Sequence, residues 1–335
     1  MRIVLLAAAA LLASCQIDPL GIELAPGWKA HSIAVWRRAR PDMIAYDPKR
    51  NLAYLTLENP AGISSPSLAL FVPGRRRQEV LLYGLHRADG LKFAPDGSLW
   101  IGEEHDEGLI WRIVAPHALP EDQRIDRASL ETTHPAIAPL LYAGRFAHEG
   151  IAFSRDGRFA YLADEHPRGC LYRLDLRLRR LSVLARNQWL PIEHPLDARN
   201  EGHKLGCTPY RRIEDMETLP DGRVLMAETD RARILALEDR AAHPVVRTYL
   251  ARKDLGHPDN LAWDPHRHWL WITDDSTPSR LLAWTGTELL EVARHPKAEI
   301  TGVIVVGDAV WINLQRHTGR GTDLTLMLTP ASEAH

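Results

Sequence analysis

The chain has 335 residues, with 41 Lys and Arg against 43 Asp and Glu, a formal net charge of −2. That balance leaves no basic footprint for nucleic acid. The length exceeds the usual single-domain size, so it calls either for several domains or for one closed repeat architecture.

In chain order, Met1 and Arg2 open an apolar Ala/Leu-rich stretch that runs to Ala13. It is too short to cross a bilayer as a helix and fits the core of an export signal. Leu12 to Cys15 resembles a bacterial lipobox, which makes Cys15 the expected lipidation site. Gln16, rather than Asp, follows it, and resemblance to sorted lipoproteins then implies the outer membrane over the inner one. The expected layout is a lipoprotein signal peptide over 1–14, an N-terminal tether with first strands over 15–40, and one propeller domain over 41–330. The expected location is the bacterial cell envelope, at the periplasmic face of the outer membrane, with a lipid anchor as the sole membrane attachment.

From residue 42 onward one pattern recurs six times: an acid, a short apolar run, a tight turn, a second apolar run, then an acid or amide. The copies run from Asp42 to Glu58, Asp89 to Glu103, Glu149 to Asp164, Glu214 to Glu228, Asp259 to Asp274, and Glu299 to Asn313. Their turns contain Asp47, Asp96, Asp156, Asp221, Asp264 and Gly307, and β-branched or aromatic runs such as Trp269 to Ile272 follow. A third and often a fourth strand follow each hairpin, for example Cys170 to Leu174 and Leu181 to Leu184. Four antiparallel strands at this period predict an all-β fold, a six-bladed β-propeller with four-stranded blades around a central channel. Insertions near 115–145 and 186–212 read as loops on the rim. Cys170 and Cys207 are free to pair in an oxidising compartment, and the spacing leaves that open.

A hairpin returns its ends to one edge of the sheet, so the twelve end residues converge at one mouth of the channel. The turn acids Asp47, Asp96, Asp156, Asp221 and Asp264 belong to the opposite end. Crowded carboxylates stay ionised together when cations compensate them. Oxygen ligands, with Asn260 and Asn313 adding carbonyls, point to Ca2+. His148 and His257 would extend the choice to a transition metal. The bland alternative is that these acids cap strands or pair with Arg145, Arg211 and Arg212. There is no nucleophile elbow, no Walker sequence and no His-Glu-x-x-His pattern, so a metal-activated water is the economical nucleophile.

Several runs carry a further resemblance: Gly144 to Gly150, Tyr161 to Glu165, Gly169 to Arg173, Asp89 to Gly97 with Gly102 to Glu104, Arg212 to Asp215 with Ala227 to Thr229, Pro258 to Asn260 with Asp274 and Asp275, and Glu299 to Gly302 with Trp311 to Gln315. In this order they resemble the motifs of the PhoX-type alkaline phosphatase family. That resemblance implies a propeller phosphomonoesterase using calcium together with iron. The family's early motif has a Cys before its Glu pair as an iron ligand, and Gly102 stands there, which weakens the case for Fe3+. Hairpin ends and resemblance together give Glu103, Glu149, Asp164, Glu214, Glu228, Asp259, Asn260, Asp274, Asp275 and Glu299 as candidate metal ligands. Glu149, His148, Arg145 and Arg212 are the candidate catalytic groups, the two arginines as a phosphate clamp.

Three functions compete. The first is a metal-dependent phosphoesterase acting on a small-molecule phosphate ester. The second is a calcium-dependent lactonase or esterase-like propeller, with His148 or Glu165 as base. The third is a non-catalytic envelope binding protein whose metals brace the channel.

Overall fold

The computed structural model describes residues 16–17 and 20–331, apart from 38, 61, 63, 76–77, 241–242 and 316–321; the expected signal peptide and Cys15 lie outside the described residues. Six sheets, antiparallel except where Gln123–Asp126 joins the first in parallel, surround a channel as the blades of a β-propeller. Their inner strands are Pro41–Asp47, Ala88–Phe93, His148–Phe153, Ile213–Thr218, Pro258–Asp264 and Glu299–Val306, each packed beside the next and the last beside the first.

The second strands are buried throughout, as in Leu99–Glu103 and Val224–Glu228, or at every position but the first, as in Leu52–Leu57. A strand between two neighbouring blades is covered on both faces, so its sequence loses polar alternation and becomes continuously apolar. The core is accordingly six clusters, one at each blade interface. Trp271, Leu281, Ile300 and Val310 join the fifth and sixth blades, and Trp36, Leu55, Phe71 and Trp311 join the sixth and first. Burying each such side chain stabilises the ring by roughly 1.5–3 kcal/mol.

Closure uses the N-terminal region. Trp28–Arg37 pairs with Thr322–Pro330 and forms the outer strand of the sixth blade. Glu23–Leu24 joins the outer edge of the fifth blade, and Trp28 meets Trp271 edge-on at 5.5 Å. The two chain ends thereby lock neighbouring blades together.

The blades are not uniformly four-stranded; the sheets hold four to six strands. Both insertions are more ordered than rim loops. The first supplies Ile137–Pro139 as outer strand of the second blade, while Gln123–Asp126 and Glu131–Thr132 extend the first blade. The second adds Gln188–Pro191 to the third blade and carries the helix Ala198–Lys204. A disulfide between Cys170 and Cys207 ties that insertion to the blade it covers.

At the far end of the hairpins, Asp47, Asp96, Asp156, Asp221 and Asp264 all act as the turn formers expected. Each accepts the backbone N–H two residues on, at 2.9–3.1 Å.

Candidate metal centre

Every inner hairpin slips register at the same place: between Pro41 and Ile44, Ala88 and Leu91, His148 and Ile151, Ile213 and Met216, Pro258 and Leu261, and Thr301 and Ile304. A bulge re-aims the side chain it carries. The first residue of the bulge is Asp42, Asp89, Glu149, Glu214 and Asp259 in the first five blades, and Gly302 in the sixth. Gly302 has φ +61°, and a Cβ there would lie 2.0 Å from the Asp42 carbonyl oxygen, so the sixth blade cannot carry an acid at that point. Glu299, two residues before the slip, takes that place in the ring.

The second strand contributes through the residue that follows it. Glu58, Glu104, Glu165, Thr229 and Asp275 each donate their backbone N–H to the residue before the inner strand, at 2.9–3.0 Å: Arg40, Arg87, Ala147, Arg212 and His257. A cavity of about 320 Å3 results at this mouth of the channel. It is lined by Asp42, Glu58, Asp89, Glu104, Glu149, Glu214, Asp259, Asp275 and Glu299, with Arg40, Arg87, Arg212 and Thr229. Nine carboxylates thus face three guanidinium groups. The other mouth opens into a cavity of about 630 Å3 with mixed lining, including Tyr46, Trp263, Ile304 and one Lys92–Glu217 pair at 3.3 Å. The oxygen-rich chemistry is confined to the smaller cavity.

Of the residues expected at a metal or catalytic site, Glu149, Glu214, Asp259, Asp275, Glu299 and Arg212 meet in this cavity. Asn260 lies beside it, donating to Asp259 Oδ1 at 2.8 Å and accepting from the Gly302 N–H at 2.5 Å, which joins two blades. Glu103, Asp164, Glu228 and Asp274 are placed elsewhere. They are fully buried one residue earlier on the second strand, turned away from the cavity lining. Glu103 accepts from the N–H groups of His86 and Leu109, the Trp111 indole and Arg127. Asp164 takes both prongs of Arg199 at 2.6 and 2.7 Å, Glu228 takes Arg233, and Asp274 takes Arg280 with the His257 N–H.

His148 is completely buried, with its ring 3.9 Å from that of Phe146 and Nε2 donating to the Gly144 carbonyl oxygen at 3.1 Å. Burial pushes its pKa down to about 3, so it stays neutral and has no route to a substrate in the cavity. Arg145 lies on the rim, paired with Glu107 at 2.9 Å and donating to the Leu196 carbonyl oxygen.

Asp42, Glu58 and Asp89, expected as converging hairpin ends, and Glu165, expected as a base, belong to the constellation as well, and Glu104, Arg40 and Arg87 complete it beyond the candidate site residues. The signal for the arginines is present in the sequence as a threefold Arg-x-acid: Arg40 with Asp42, Arg87 with Asp89, Arg212 with Glu214.

The carboxylates are held under electrostatic tension. Burial first, then neighbouring carboxylates, raise Asp42, Asp89, Glu149 and Asp259 well above the usual range. Burial pushes Glu104 up to about 9, with Glu165 and Glu58 adding to it against the pull of Arg87. Burial and the Glu214 charge bring Glu165 to about 7. Two oxygen triads converge here, Glu104 with Glu149 and Glu165, and Glu149 with Glu214 and Asp259, each with one oxygen per residue within 4.8 Å of the others. Glu149 belongs to both. Its Oε2, and Oδ1 of Asp89, are buried without a hydrogen-bond partner. Unsatisfied buried oxygens in an all-oxygen donor set fit a hard divalent cation, and Ca2+ with its about 6–8 oxygen ligands above all. A thiolate ligand for iron has no place: a Cβ at Gly102 would lie 2.2 Å from the His148 carbonyl oxygen.

No family model and no curated protein matches the chain. Solved structures share its fold. A gluconolactonase from Xanthomonas campestris is 15% identical, over 94% of this chain and 93% of that one, with a TM-score of 0.58. A luciferin-regenerating enzyme is 11% identical, over 91% and 96%, with a TM-score of 0.62. A virginiamycin B lyase from Staphylococcus aureus is 12% identical, over 90% and 99%, with a TM-score of 0.53. At such identities the likeness shows the fold. These structures are lactonase- and lyase-type propellers, not PhoX-type alkaline phosphatases, so the phosphatase family assignment and the phosphomonoesterase function drawn from it are overturned. The carboxylate clusters give this propeller a mouth able to hold a metal ion.

Proposed function

We propose that this chain is a cation-dependent hydrolase that opens a lactone, or a related ester, at the acidic mouth of the channel. The observation that carries the reading is the pair of carboxylate triads sharing Glu149, with buried unpartnered oxygens on Glu149 and Asp89. The lactonase-type propellers that share the fold support it as an analogy. Glu104, Glu149, Glu165, Glu214 and Asp259 would hold Ca2+. Bound there, the cation supplies Lewis-acid polarisation of the ester carbonyl.

The proton is handled by the chain's own groups. Asp275 lines the cavity, stands outside both triads and is exposed to solvent, while the other acids around it are largely buried. Although the residue reaches solvent, the cavity wall partly desolvates its carboxyl, and this with the nearby Glu214 charge raises its pKa, which makes it a stronger base than a free aspartate. Water attacks the carbonyl carbon as Asp275 accepts its proton. The C–O ring bond then breaks, and the departing alkoxide takes that proton back from Asp275. Arg212 bonds both Glu165 and Glu214, the latter at 2.8 Å, and fixes the two carboxylates against each other.

The test is hydrolysis of a lactone and ester panel, with calcium present and after chelation. Calcium-dependent lactone turnover is expected, with D275N lowering kcat by about a hundredfold or more while calcium affinity persists. Calcium binding without turnover on any ester or lactone would reject the hydrolase in favour of a metal-braced binding protein.

A further inference from the structure

Three arginines occupy one repeated position. Arg40, Arg87 and Arg212 each stand immediately before an inner strand, in left-handed backbone with φ 49°, 51° and 55°. The carbonyl of each accepts the N–H of Glu58, Glu104 or Thr229 on the next strand of its blade, and this aims all three side chains at the cavity.

Charge neutralisation alone does not account for them. The buried strand-end acids already have their own arginines: Arg127, Arg199, Arg233 and Arg280, with side chains 18–28% exposed. Arg87 and Arg212 differ, being 43% and 39% exposed while lining the cavity. Each spans two carboxylates: Arg87 bonds Glu58 at 3.0 Å and Glu104 at 2.6 Å, and Arg212 bonds Glu165 and Glu214. Glu104 and Glu165 are also two of the three members of one oxygen triad. A cation drawing on that triad competes with the arginines for the Glu104 and Glu165 carboxylates. Filling the triad therefore loosens Arg87 from one side of the bound cation and Arg212 from the other, and turns their donors toward whatever the cation binds.

On the reading of the site as a calcium-dependent lactonase, we propose that the substrate is anionic: a lactone bearing a carboxylate, gripped by Arg87 and Arg212 beside the Glu104–Glu149–Glu165 cation. The planar guanidinium fork matches a carboxylate in two parallel bonds. The grip is conditional on the cation, because nine carboxylates repel an anion that three arginines cannot shield alone.

The experiment compares D-glucaro-1,4-lactone with D-glucono-1,4-lactone, one ring with and without a carboxylate, at fixed free calcium. Calorimetry with D-glucarate, the dicarboxylate product, is run in parallel with and without calcium. The expected result is a kcat/KM about 10-fold or more higher for the anionic lactone, residing in KM. In R87Q and R212Q the loss on the anionic lactone exceeds that on the neutral one by about 10-fold, with R87K and R212K intermediate. Glucarate binding should require calcium and weaken in the same variants. Equal turnover of both lactones, preference for the neutral one, or glucarate binding indifferent to the arginines would overturn the proposal. If neither lactone turns over, the hydrolase reading fails by itself and the glucarate arm still decides the anion site. R87Q and R212Q proteins that bind calcium at least as tightly as wild type exclude misfolding as the cause, since each variant removes a competitor for the triad.

Discussion

Glu103 and Glu104 are consecutive residues with opposite fates. Glu103 is fully buried and surrounded by donors: two backbone N–H groups, an indole and Arg127. Burial pushes its carboxyl up, but the His105 ring 3.9 Å away, the Arg127 charge and the His86 N–H bond outweigh that and hold it below the usual range. Glu104 looks into the cavity, where burial and the Glu165 and Glu58 charges push it up to about 9. The same split repeats fully in Asp274 and Asp275; in Asp164 and Glu165 it repeats in the donors alone, since burial raises Asp164 even against both prongs of Arg199. One layer of acids is spent on holding blades shut. The other is left short of donors, and that shortage is what a cation fills. Charge count does not distinguish the layers; supply of donors does.

The sharpest way to break the comparison is one substitution in each layer. E149Q removes the residue shared by both triads. With calcium present, turnover should fall by at least about a hundredfold and the calcium-induced rise in Tm should shrink. In chelator the same variant should melt no lower than wild type, because a buried carboxylate crowded by Glu214, Asp89 and Glu104 has been replaced by a neutral amide. D274N should behave in the opposite way. It strands Arg280, which pairs with Asp274, and weakens the His257 and Gly256 N–H bonds, costing about 3–5 kcal/mol with or without calcium. Equal calcium dependence of both variants in thermal melts would erase the distinction between the layers.

pH separates Asp274 from the cavity acids by sign. Asp274 has burial working against it, yet hydrogen bonds from Ser276 and His257 and the Arg280 charge lower its pKa in the fold. Its contribution to stability is present above the unfolded value and disappears as pH falls through the folded one. Glu104, Glu149 and Asp89 have raised folded values. The folded state then holds more protons than the unfolded one, and stability declines as pH rises from about 4 upward. Chelated protein should therefore lose stability toward both acid and alkali, the alkaline limb extending to about pH 9, where Glu104 titrates. Calcium should flatten the alkaline limb and leave the acid limb in place. An alkaline limb unaffected by calcium in melts between pH 5 and pH 9 would mean that these carboxylates bind no cation.

Much of the architecture was legible because hairpins write their geometry into spacing. Acid-to-acid intervals of 14 to 16 residues, with Asp-containing turns midway, specify six hairpins with their ends together. What spacing cannot show is which of two adjacent acids faces the channel. A strand alternates faces every residue, so Glu103 versus Glu104 is a one-residue question, and the bulge after Ala88 is a further one-residue event. His148 misleads for a related reason: next to Glu149 in sequence, it points into the blade against Phe146. The arginines Arg40 and Arg87 were written in the repeat, but an Arg beside an acid reads as a surface pair until the cavity shows what it lines. The resemblance to phosphatases fails at the same scale, since short acid-bearing motifs record a propeller hairpin's needs as readily as a reaction's.

The smallest expected effect belongs to the acids at the other end of the hairpins. Asp221 occupies the turn of the fourth blade, accepts the Arg223 N–H at 3.0 Å and pairs with the Arg223 side chain, its own side chain 52% exposed. D221A removes a turn-forming hydrogen bond and an ion pair that water already screens, so the cost should stay near 1 kcal/mol by chemical denaturation. Calcium affinity should not move, because the turn lies at the far end of the inner strand from Glu214. This variant keeps Glu214 and Glu228 at the hairpin ends while deleting the turn acid. Unchanged calcium binding would show that position on the hairpin, not the total of acids per blade, makes the site. A loss of affinity would instead point to the long-range charge of the whole ring as the source of cation binding.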